Sequence, residues 1–157
     1  MRTLVKHPPE GWTASLLQSH TNRTLGMVFA SWKAARALRA LPSDASTVVH
    51  LHAASDWSLR RKLRLAAQCH HPVVLHLHSG DTARWLQAKP GRAARVRSAI
   101  EAHVTVVVVL DEAWKALLEP LVGLVEVVSN PVNPLHGLDD EDRRNGTRLL
   151  IMGRDAP

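Results

Sequence analysis

The sequence is poor in the residues that cross-link small folds or stack nucleic-acid bases: it has one cysteine, one phenylalanine and no tyrosine among 157 residues. A lone Cys69 excludes an internal disulfide, so burial must hold the fold, and the lack of bridges fits a reducing compartment. Five tryptophans and one phenylalanine are too sparse to interleave with the basic residues, which argues against stacking along single-stranded nucleic acid. Long apolar runs are missing too. The longest, Val104 to Leu110, is far short of the ~20 residues a membrane span needs. Met1 to Lys6 lacks the apolar core of a signal peptide, so a soluble chain is expected. No Gly-x-Gly-x-x-Gly, no Gly-Lys-Ser/Thr phosphate loop and no Gly-x-Ser-x-Gly elbow occurs, which removes the simplest dehydrogenase, NTPase and hydrolase readings.

What is present is globular: 45% hydrophobic and 22% charged residues, with a formal charge of +6. That excludes disorder and suits anionic partners, without choosing among phosphate-bearing substrates, acidic headgroups and nucleic acid. Short β-branched runs alternate with helical patterns. Thr47–His52, Val73–His78, Val104–Leu110 and Leu124–Val128 read as buried strands. Phe29, Trp32, Ala35 and Leu38 recur at helical steps before the first. Ser55 or Asp56 can cap a helix bearing Leu59, Leu63, Ala66 and Ala67. Ala93, Val96 and Ile100 mark another. Asp111 can cap a last one with Trp114, Leu117, Leu118 and Leu121, closed by Pro120. This alternation predicts a parallel sheet with helices on both faces. Arg2 to Lys6 is a further candidate strand.

In open parallel sheets ligands bind outside the carboxyl ends of the strands. There the sequence collects His50 and His52, then His76, His78, Ser79, Gly80 and Asp81, then Asp111 and Glu112, then Ser129 and Asn130. Alternation puts each His-x-His pair on one face. Such pairs can bind a metal, with Asp81 as a conceivable third ligand. The competing reading is histidines packed and hydrogen-bonded against neighbouring strands, which suits His50 and His76. His78, at a strand tip beside Ser79-Gly80, suits hydrogen bonding or proton transfer. Arg60, Arg61, Lys62 and Arg64 form a basic cluster near a helix start, where the dipole disfavours cations. That misfit points to an anion or partner nearby.

Five segments together resemble the N-terminal domain of family 4 glycosyltransferases, retaining enzymes of the two-domain B-type fold. They are Val48-Val49-His50-Leu51-His52 with Ser58, Arg61 and Lys62; Val73 to Asp81; Val107 to Trp114; Val127 to Val132; and Leu149 to Arg154. The resemblance implies a Rossmann-like α/β domain, half of a B-type enzyme, that binds the acceptor. It implies a catalytic role for His78 and substrate contacts from His52, Ser58, Arg61, Lys62, Ser79, Gly80, Asp81, Asp111 and Asn130. It implies no metal and no cofactor. Position 111 departs from the family in carrying Asp where Ser is usual, and the glycine-rich acceptor loop is reduced to Pro9-Glu10-Gly11-Trp12.

The expected organisation is a Rossmann-like domain over 1–132, a polar linker over 133–146 and the start of a truncated donor-binding domain over 147–157. The expected function is transfer of a sugar from a nucleotide-sugar donor to a glycan, lipid-linked or small-molecule acceptor, inactive without a donor domain. Expected partners are that donor, that acceptor and a donor-domain subunit, with peripheral contact to acidic membrane at the cytoplasmic face and no specific nucleic acid. Two alternatives stand beside it. One is a non-catalytic subunit that pairs with a separate donor-domain chain. The other is a metal-dependent hydrolase using the His-x-His pairs, although a barrel hydrolase needs about 250 residues.

Overall fold

A computed structural model describes residues 10–17, 19, 24–42, 47–54 and 56–129. The candidate strand at Arg2 to Lys6, the cap at Ser55, Asn130, the linker over 133–146 and the segment Leu149 to Arg154 lie outside the described residues.

The chain runs α1 (Thr24–Arg39), β1 (Val49–Ala53), α2 (Asp56–Ala66), β2 (Val73–Leu77), α3 (Asp81–Gln87), α4 (Arg92–His103), β3 (Val106–Val109), α5 (Glu112–Val122) and β4 (Val125–Val127). The strands form one four-stranded sheet in the order β1-β2-β3-β4, parallel throughout. The parallel α/β class expected from the sequence is the one observed. The ladder between β1 and β2 extends past the strand end, because His78 N donates to Ala53 O at 2.8 Å.

Alternation divides the sheet into two chemically distinct faces. Val49, Leu51 and Ala53 of β1 align with Val73, Leu75 and Leu77 of β2. With Val107, Val109 and Val125 they make the buried floor of the core. When strands pair in sequence order, crossovers of one hand send their connecting helices to one side, so among the described residues the helices pack on one face of the sheet where both had been expected. Leu59, Leu63 and Ala66 of α2, Val96 and Ile100 of α4, and Leu118 and Val122 of α5 close over this floor. The other side carries the register row His52–His76–Val108–Glu126, with His50, Val74 and Val106 beside it.

Several local expectations need correction. In α1, Ala35 and Leu38 are buried as expected, together with Ala34, but Phe29 and Trp32 are 64% and 56% exposed. The helix packs on α2, so only its C-terminal half reaches the core. Ala67 is exposed and follows the end of α2, and Leu117 is exposed on α5. Pro120 does not close α5, which continues to Val122. Gly123 closes it at φ 95°, a left-handed value that disfavours side chains, with its N–H bonded to Glu119 O at 3.0 Å. The short α3 was not anticipated. It buries only Thr82, Ala83 and Leu86, too little apolar periodicity to stand out in a polar segment.

Candidate functional site

Two His-x-His pairs on adjacent parallel strands place four imidazoles on one sheet face. Register sets His52 directly across from His76. His50 precedes by two residues on β1, and His78 follows by two, just past the end of β2. Ring centroids lie 4.3 Å apart for His50 and His52, 5.3 Å for His52 and His76, and 4.1 Å for His76 and His78. His52 and His78 are joined directly, Nδ1 to Nε2 at 2.6 Å, with one ring donating and the other accepting. His76 is buried and its Nε2 has no hydrogen-bond partner among the described residues. His50 is exposed, which overturns its packed reading. It sits in β1, which among the described residues is the edge strand of the sheet, paired with β2.

The electrostatics follow from crowding. Burial, reinforced by His50, His78 and His76, pushes the His52 imidazole down to about 3. Burial, then His78 and His50, pushes His76 down to about 4. Burial also lowers His50, with His78 adding to it, and lowers His78. A positive charge among rings this buried and this close is unfavourable, so all four are shifted towards the neutral form. Neutral imidazoles each offer one N–H and one lone pair. They suit hydrogen bonding and metal ligation better than charge pairing.

The remaining expected residues divide between the strand tips and α2. Ser79 Oγ accepts from Asp81 N at 3.3 Å. Gly80 precedes α3 with φ −64°, so its backbone angle alone would admit a side chain. An added Cβ would make a tight contact, meeting the Trp114 indole at 3.3 Å. Asp81 is exposed and paired with Arg84, so it does not join the histidines as the third ligand the metal reading had offered. Asp111 caps α5 as anticipated, accepting from Trp114 N at 2.8 Å. The strand ends thus bring Ser79, Gly80, Asp111 and Trp114 to one rim beside His78.

The α2 residues are engaged elsewhere. Ser58 lies half-buried in its first turns. Arg61 Nη1 donates to Met27 Sδ at 3.3 Å, while its Nε is buried with no hydrogen-bond partner among the described residues. Lys62 Nζ donates to Ser19 Oγ at 2.5 Å, and burial, with Arg61 beside it, lowers its pKa. These contacts tie α2 to α1 and to Ser19. The basic cluster has a further outlet: the Arg60 guanidinium lies 5.5 Å from the Trp57 ring centre and 5.2 Å from that of Trp85. Arg92 covers Trp85 at 4.6 Å. These cation–π contacts account for part of the positive charge that had pointed to an anion.

Sequence reasoning collected both pairs at the strand ends but read His50 and His76 as packed, whereas the sheet joins all four rings. The signal was available, since both pairs end their strands and parallel neighbours in register align them. No helix among the described residues is long and apolar enough to cross a membrane. Comparison with protein-family models, with curated proteins and with solved structures yields no match to this chain.

Proposed function

We propose that the chain is the acceptor-side domain of a retaining glycosyltransferase of the family 4 type, working with a donor domain that holds the nucleotide sugar. One observation carries the reading. A parallel sheet brings the His78-Ser79-Gly80 turn to the strand-end rim beside the Asp111-capped helix, where open α/β sheets bind ligands. The order of these segments along the chain is the order in which the five-part resemblance has them.

In this account the neutral His78 ring, oriented by its bond to His52, positions an acceptor hydroxyl. Its lone pair or N–H serves as a fixed dipole where charge develops in an oxocarbenium-like transition state. The lowered pKa of His78 favours such a hydrogen-bonding role over that of a cation. The acceptor is a glycan, a lipid-linked sugar or a small molecule. The basic surface suits work at the cytoplasmic face of an acidic membrane.

Mixing the purified chain with the donor-binding half of a family 4 enzyme, across a panel of nucleotide sugars and acceptors, tests the proposal. Sugar transfer by the mixture, above either half alone, supports it. No transfer with a stably associated pair, whatever donor is supplied, contradicts it.

A further inference from the structure

We infer that the histidine-bearing face of the sheet binds a divalent transition-metal ion of the zinc class through His50, His52 and His76. One ring nitrogen from each of these residues lies within 4.8 Å of the others. The three come from two hydrogen-bonded strands in fixed register, so the backbone preorganises them. Zinc–imidazole bonds of about 2.0–2.1 Å in tetrahedral array need nitrogens about 3.3 Å apart. The remaining gap is closed by turning side chains. The exposed His50 can make that rotation, while His52, hydrogen-bonded to His78, and buried His76 form the fixed part of the site.

A second observation points the same way independently. His76 Nε2 is a buried polar atom with no partner among the described residues, on a residue only 6% exposed. An unsatisfied buried nitrogen is costly, and a metal bond satisfies it. His78 holds the His52 ring by hydrogen bond, the kind of outer contact that orients ligating imidazoles. An all-imidazole set selects zinc, copper or nickel over magnesium or calcium, which take oxygen ligands.

The probe is Zn²⁺ itself, titrated near neutral pH into the purified chain, free of any affinity-tag histidines, in competition with a chromogenic chelator. One equivalent should bind. His50→Ala and His52→Ala should each weaken binding at least about tenfold, since losing a ligand costs no less than losing an outer-shell partner. His50 is exposed, so His50→Ala should stay folded by circular dichroism and keep the test clear of unfolding. The Co²⁺-loaded chain should show the visible absorption of a tetrahedral, nitrogen-rich site. The exposed His70 and His103 serve as controls, and replacing both should leave uptake intact. No uptake by the native chain would overturn the inference. So would full uptake by folded His50→Ala, or uptake lost only with His70 and His103. Metal uptake is read without any sugar transfer, so this result stands apart from the glycosyltransferase proposal.

Discussion

Lowering the pH from 7 to 5 should destabilise the domain by about 2 kcal/mol, and the histidine cluster should be the cause. His52 is held at about 3 and His76 at about 4, against about 6.5 in the unfolded chain. Their folded pKa values are depressed, so the stabilisation is present above pH 6.5. It is lost as the pH falls towards 4, because the unfolded chain takes up protons that the folded one refuses. At about 1.4 kcal/mol per pKa unit, 1.5 units below the unfolded value costs about 2 kcal/mol for each residue and about 4 for the two. The rings share one partly open face, and solvent screening roughly halves that sum. Among the described residues the titratable groups on this face are His50, His52, His76 and His78, with Glu126 at the far end of the register row. The ion pairs Asp81–Arg84 and Arg97–Glu101 are exposed and contribute little above pH 5. Urea denaturation followed by circular dichroism between pH 5 and 7 measures the slope. A doubly substituted His52→Gln/His76→Leu chain should show a much flatter one. Stability that is level or rising towards pH 5, or an unchanged slope in the double variant, would refute the reasoning.

Two further substitutions probe the rim. Asp111→Ala should cost about 1 kcal/mol in thermal or chemical melts by removing the α5 cap, while Asp111→Asn, which can still accept from Trp114 N, should stay close to native. Gly80→Val should cost about 1–3 kcal/mol by driving its side chain into the Trp114 ring. Gly80→Ala should fall within about 1 kcal/mol of native, because the gain from a less flexible unfolded chain offsets the tight contact.

Strand positions and their parallel sense were legible because β-branched runs of strand length alternated with amphipathic helical stretches. Each run ended within a residue of the observed strand: Val73–His78 against Val73–Leu77, and Leu124–Val128 against Val125–Val127. Periodicity states that residues share a face, but not what covers that face. Hence Phe29 and Trp32 were placed in a core that α1 reaches only from Ala34 onwards. Hence too His50 was read as packed, although it sits on the side of β1 opposite the buried Val49 and Leu51. Composition around Pro120 suggested a stop. The tertiary burial of Leu118 and Val122 carried the helix past it. Of the rim, Asp111 was read correctly as a cap, since Asp before an amphipathic run has a local cause. The Gly80–Trp114 contact was not legible, because it joins residues that only the sheet brings together.

The claim that this rim serves sugar transfer is tested most directly by the two histidines of β2 and its tip. In the chain joined to a donor domain, kcat and melting temperature are measured for His78→Ala and His76→Ala. The account predicts that His78→Ala melts like the native chain but turns over about 10²-fold more slowly, the usual scale for losing one positioned polar group. His76→Ala, emptying a buried position, should melt earlier and lose rate only through its lowered stability. A folded His78→Ala chain with native turnover would contradict the account.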